Sequence, residues 1–167
     1  VFTNGASDTE NSLITAGRAI IVTNNYGYEG PVKSGNGALS EPGIERVDVD
    51  RDGRGCHTVW RNRTERSPSA VPKLSLANGL VYIVAKDPAG PQDVWYLAAL
   101  SERTGRTVFK TRYGTGLGYN PNYAPVSLAP DGAAYVGVLG GLVRIADATR
   151  PRVPAPRPQL TLLPGRR

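Results

Sequence analysis

The chain has 167 residues, 40% of them hydrophobic and 20% charged, which is enough to bury one sizeable core and unlike the composition of a disordered chain. Its formal charge of +6 is concentrated at one end, since residues 144–167 carry six arginines against one aspartate and leave residues 1–143 near +1. That leaves no basic face with interleaved aromatics for nucleic acid, and no apolar run reaches the roughly 18 residues of a membrane span.

Twenty glycines, fourteen prolines and eight tyrosines set among short Val, Ile and Leu runs predict brief strands and tight turns rather than helices. Val1 to Glu10 shows neither a basic start nor an apolar run, so no signal peptide is read there. A first unit follows, with strands at Glu10 to Thr15, Ala19 to Asn25, Gly43 to Asp50 and Cys56 to Asn62, turning at Ala16-Gly17-Arg18 and Asp52-Gly53. Within it, Asp48-Val49-Asp50-Arg51-Asp52-Gly53 matches the opening of a calcium loop, D-x-D-x-D-G. The late acidic ligand is missing, because Cys56 and Val59 stand at the ninth and twelfth positions. The alternative is a strand with Val47 and Val49 inward and its aspartates outward. Cys56 is the single cysteine, which excludes an intrachain disulfide and a cysteine-based zinc site; it reads as a small buried apolar residue, and His57 as a structural or surface histidine. Asn62-Arg63-Thr64 has the form of a glycosylation sequon.

The second unit has strands at Val71 to Ala77, Leu80 to Lys86, Trp95 to Glu102 and Thr107 to Tyr113, turning at Asn78-Gly79 and Thr104-Gly105. Gly114-Thr115-Gly116-Leu117-Gly118 then reads as a connection, since no helix follows it to hold a phosphate. The third unit has Ala124 to Ala129, a turn at Pro130-Asp131-Gly132, Ala134 to Leu139, and Gly141 to Ile145. Five prolines between Pro151 and Pro164 remove backbone donors, so 149–167 is expected to be a disordered or extended Pro/Arg-rich tail.

Aligning the first turn of each unit puts Gly17, Gly79 and Gly132 in register, 62 and 53 residues apart, with Ile20, Tyr82 and Tyr135 three residues after them. A four-stranded antiparallel meander that repeats is a propeller blade. The expected fold is therefore all-β, with about two and a half β-propeller blades in residues 1–148. Blade one spans about 10–62, blade two about 71–113 and a partial blade three about 124–147. Such an arc is expected to be a fragment of a larger propeller, needing further blades or self-association to cover its open edges.

Three stretches of the second unit, Asn78-Gly-Leu-Val-Tyr-Ile-Val84, Trp95-Tyr-Leu-Ala-Ala-Leu100 and Thr104-Gly-Arg-Thr-Val-Phe109, resemble the blades of the quinoprotein-like (PQQ-type) propeller superfamily. The third unit is similar over Ala129 to Val138 and Gly141 to Ile145. In that superfamily Thr-Gly is followed after three residues by a tryptophan that packs between neighbouring blades. Here Phe109 holds that position, while Trp60 closes the first unit. The resemblance implies an extracytoplasmic or secreted propeller. In the superfamily's enzymes the cofactor lies under adjacent cysteines beside a calcium ion. One cysteine cannot supply that pair, so pyrroloquinoline quinone is not expected.

In a propeller the turns joining strands one and two, and three and four, share one face, and the remaining connections share the other. The second face collects polar and aromatic residues: Glu10, Asn11, Asn24, Asn25, Tyr26, Lys73, Asn120, Asn122 and Tyr123 are the candidates for a ligand site on the loops or at the channel. Glu10, Asn11, Asn25 and Asn122 offer hard oxygen donors suited to calcium; Asp48, Asp50 and Asp52 are the second metal candidates. The alternative for the asparagines is backbone capping in Asx turns. Two functions follow. One is ligand binding or scaffolding through the loop face, with a small molecule or protein as partner. The other is a calcium-dependent hydrolase or oxidoreductase with a channel site, analogous in architecture to the sugar-lactonase propellers.

Overall fold

The computed structural model of the chain describes residues 2, 7, 9, 12–25, 40–67, 70–89 and 92–147. The described residues are all-β apart from one 3-10 turn, and every strand pairing is antiparallel. The first sheet contains β1 (Ile14–Ala16), β2 (Ala19–Thr23), β3 (Ile44–Val49) and β4 (Cys56–Asn62), side by side in chain order. The second repeats that order with β5 (Lys73–Ser75), β6 (Leu80–Ala89), β7 (Gln92–Ser101) and β8 (Thr107–Thr115). The third has β9 (Val126–Leu128), β10 (Ala134–Val138) and β11 (Gly141–Ile145).

Eleven strands were expected from alternation and turn residues, and they lie where expected with shifted ends. The β6–β7 hairpin runs longer at both strands, because pairing continues through Asp87↔Val94 to Ala89↔Gln92. The edge strand β5 is shorter than expected: Gly79 N–H donates to the Ser75 carbonyl, which draws residues 76–78 into the turn. The registered glycines Gly17, Gly79 and Gly132 all have positive φ, 60°, 66° and 83°, which is why glycine recurs there.

The middle sheet is covered on both faces. On β6, Val81, Ile83 and Ala85 join Ala98 and Leu100 of β7 against Ile21, Ile44 and Trp60 of the first sheet. Val84, Trp95 and Leu97 point the other way, against Val126, Ala134 and Val136 of the third. Burial on two sides explains why β7 reads as the nearly continuous apolar run Val94 to Leu100 rather than as an alternation.

The first two sheets are also fastened by polar contacts. Trp60 Nε1 donates to the Glu102 carbonyl at 2.7 Å and Asn62 Nδ2 to the Gly105 carbonyl at 2.7 Å. Arg46 reaches the Glu102 side chain, and Thr107 Oγ1 donates to Glu65 Oε1 at 2.7 Å. The sequon asparagine thus spends its amide nitrogen, the atom a glycan would require, on holding two sheets together.

One expectation is corrected. Cys56 is exposed, not buried, because it begins the edge strand β4, whose first four residues are all exposed. Residues 114–118 end β8 and enter a single 3-10 turn, Leu117–Tyr119, too short to carry a dipole that would hold a phosphate. No helix among the described residues is long and apolar enough to cross a membrane.

Candidate functional site

The first strands of the first two sheets, β1 and β5, are edge strands that each pair on one side only. Between them runs a groove walled by Leu13, Ile14 and Thr15 on one side and by Val71, Lys73 and Leu74 on the other. The β1–β2 turn at Gly17 and Leu76 of the β5–β6 turn close one end. Val126 N–H donates to the Val71 carbonyl at 3.3 Å, tying the edge strand β9 of the third sheet to the same wall. Leu13 and Leu76 are exposed apolar side chains. Lys73 is exposed and makes no ion pair with the described residues, so the groove combines an apolar lining with one available cation. Such a surface suits an amphipathic anion: a carboxylate with a short apolar body, or an extended peptide carrying an acidic side chain.

The other candidate residues are dispersed. Glu10, Asn11 and Tyr26 lie outside the described residues. Asn24 and Asn25 are buried and hold the β2–β3 connection: Asn24 Nδ2 donates to the Glu41 carbonyl at 2.6 Å, and the Asn25 carbonyl accepts from Ser40 Oγ. Asn120 Oδ1 accepts the Asn122 N–H at 2.9 Å in an Asx turn, and the Asn120 carbonyl accepts from Leu139 N–H at 3.0 Å. Asn122 and Tyr123 both adopt positive φ, 43° and 69°, in a turn closed by Ala124 N–H on the Pro121 carbonyl. Both are exposed. Asn120 therefore makes an Asx turn, as the local hydrogen bonding of asparagine favours, whereas Asn24 satisfies a backbone carbonyl distant in the chain.

The aspartates of the D-x-D-x-D-G stretch have separate partners. Arg46 grips both oxygens of Asp48, at 2.6 and 2.8 Å, and those hydrogen bonds hold the Asp48 carboxyl below its ordinary value. Asp50 Oδ1 lies 2.8 Å from His57 Nδ1, and Asp52 Oδ1 accepts the Arg54 N–H of its own turn. No three His, Cys, Asp or Glu side chains among the described residues come together as metal ligands would.

Sequence reasoning missed Glu45. Ile44 and Glu45 are adjacent and both fully buried, because they point to opposite faces of β3. Ile44 meets the second sheet. On the other face Glu45 accepts from the Phe2 N–H at 2.8 Å, from Thr58 Oγ1, and from Arg61 at 2.9 and 3.0 Å, while Arg61 also lies over the Phe2 ring. Burial pushes this carboxyl up, but the hydrogen bonds from Thr58 and Phe2 and the Arg61 charge outweigh it and hold the group below its ordinary value. The one legible signal was a carboxylate inside the strand Ile44-Glu45-Arg46-Val47, next to the apolar Ile44.

No family model matches the chain. It is similar to an uncharacterized protein of Archaeoglobus fulgidus, 28% identical over 106 residues, which is 64% of this chain and 20% of that relative. The chain thus spans about a fifth of the length of the relative it matches.

Proposed function

We propose that the three sheets are consecutive blades of a quinoprotein-like β-propeller and that the chain is a ligand-binding or scaffolding segment of it, taking an amphipathic carboxylate in the groove between β1 and β5. The observation that carries this reading is the middle sheet, packed on one face by the sheet that precedes it in the chain and on the other by the sheet that follows. Meanders stacked face to face in chain order are the arrangement of propeller blades, and innermost strands then line the axial channel. Trp60 adds support, lying between two sheets with Gly105 of the Thr-Gly turn against its ring, as the superfamily's tryptophan does. An extracytoplasmic location belongs to the same proposal.

The test is a titration with hexanoate followed by amide chemical shifts. Shifts are expected at Ile14, Thr15, Lys73 and Leu74, with weaker binding of hexanol. Because Lys73 is exposed, Lys73→Ala is expected to weaken hexanoate binding by about fivefold at most, with the difference shrinking in salt. Equal affinity for hexanoate and hexanol in the native chain would remove the lysine from the site.

Calcium separates this reading from the metal-dependent enzyme. A binding segment is expected to keep its melting temperature within about one degree on adding calcium or EDTA. A site occupied well above its Kd would raise it by several degrees, since ligation of the folded state alone contributes about 2.7 kcal/mol at a hundredfold excess over Kd.

A further inference from the structure

We propose that the face of the first sheet turned away from the second carries a peptide-recognition socket, Glu45 with Thr58 and Arg61, which takes the backbone N–H and the ring of an aromatic residue. Phe2 fills it here as a tethered ligand, and the same chemical group supplied in trans fills it once the Phe2 ring is removed. None of these residues lines the groove between β1 and β5.

Alternation sorts the two faces of the first sheet. Ile21, Ile44 and Trp60 face the second sheet, so the cross-strand row Val22, Glu45 and Arg61, each next to one of them in the chain, faces away. In a regular strand Thr58 would share the face of Trp60, two residues on. It does not, because β4 carries a bulge: Arg46 pairs with Trp60 and Val47 with Thr58, which leaves Val59 as the extra residue. That one residue turns Thr58 to the side of Arg61, three positions along, and both reach Glu45. Re-aiming a side chain is what such bulges do, and this one completes the socket.

Glu45 is fully buried, a position a carboxylate holds only with its oxygens engaged. Oε1 accepts from the Thr58 hydroxyl. Oε2 accepts from Arg61 Nε at 3.0 Å and from the Phe2 N–H at 2.8 Å, with a second Arg61 nitrogen at 2.9 Å. The Phe2 donor comes from 43 residues away, so a separate stretch of peptide is being held. The Arg61 guanidinium lies 5.7 Å from the centroid of its ring. Carboxylate and guanidinium thus read the main-chain N–H and the aromatic face of one residue. Phe2 is buried at a φ of +51°, a backbone that bulky L-residues seldom adopt and that persists where surrounding contacts hold it. Thr58 is exposed and the Arg61 side chain is 25% exposed, so the socket can be reached from solvent.

The test uses the full chain carrying Phe2→Ala, with N-acetyl-L-phenylalanine methylamide as the probe. Binding is followed by the Arg61 Nε–H resonance and the amide resonances of Glu45 and Thr58. The variant is expected to show saturable shifts at these three residues. The native chain is expected to need at least about tenfold more probe, because its tethered group competes intramolecularly. O-acetyl-L-phenyllactic acid methylamide, in which oxygen replaces the N–H, is expected to bind about tenfold more weakly, since a hydrogen bond to a charged group is lost. N-acetyl-L-alanine methylamide, without the ring, is expected to bind at least about fivefold more weakly. Should the alanine variant unfold, Phe2→Leu keeps the N–H and an apolar side chain, and loss of the ring is expected to move the Arg61 Nε–H resonance. The proposal fails if a folded Phe2→Ala chain binds no probe, responds as the native chain does, or takes amide and ester equally well. It fails also if Phe2→Leu leaves the Arg61 resonance where it was.

Discussion

Replacing Trp60 with alanine is expected to lower the folding stability by about 3–5 kcal/mol, measured by urea unfolding with Trp95 fluorescence as reporter. The indole fills the space between the first and second sheets, in one core with Ile21, Ile44, Ile83 and Leu100. It also gives its N–H to the Glu102 carbonyl at 2.7 Å, so truncation leaves both a cavity and a carbonyl without this partner. Trp60→Phe keeps most of the volume and loses the hydrogen bond, for an expected cost nearer 1 kcal/mol. Gly105→Ala probes the same contact from the other sheet. Its Cβ would lie 2.5 Å from the indole ring, at a φ of +69° that side chains disfavour. An alanine at position 60 that costs less than about 1 kcal/mol would show that the two sheets are held mainly elsewhere.

The second large effect is expected at Glu45. Glu45→Ala removes the acceptor shared by Phe2, Thr58 and Arg61 and leaves the Arg61 guanidinium without its closest carboxylate, at an expected cost of about 3 kcal/mol or more. Glu45→Gln keeps the shape and removes the charge, which makes the pH dependence readable. The folded carboxyl titrates below its ordinary value of 4.5, so its contribution is fully present above the unfolded value and is lost as pH falls through the lowered folded value. Native chain and Glu45→Gln are therefore expected to differ most at pH 7. Their urea midpoints should converge as pH drops below 4.5. A gap that stays constant from pH 7 to pH 3 would mean that the carboxylate's charge contributes nothing.

Much of the strand pattern was legible because its causes are local. Asn78-Gly79 and Asp131-Gly132 mark hairpins, since these residues tolerate the backbone that tight turns need. Alternation along Ala134 to Val138 marks a strand, since successive side chains face opposite sides. The candidate site was less legible. Lys73 lines a groove between the edge strands β1 and β5, but the groove's apolar wall, Leu13, Ile14 and Leu74, reads in sequence only as ordinary core. Asn24 and Asn25 share the composition of a ligand site and are instead buried in the β2–β3 connection. An amide side chain satisfies a buried backbone group as readily as it binds a metal, and sequence carries no record of which group stands opposite.

The sequence by itself determined the strands, the positive-φ turn glycines and the chain-order meander, all consequences of neighbours a few residues apart. Tertiary structure alone decided that the middle sheet is buried on both faces, that Trp60 lies against a glycine forty-five residues away, and that Glu45 gathers Phe2, Thr58 and Arg61 on the far side of β3. Those contacts depend on how whole sheets stack, and stacking is set by the summed burial of two faces rather than by any local preference.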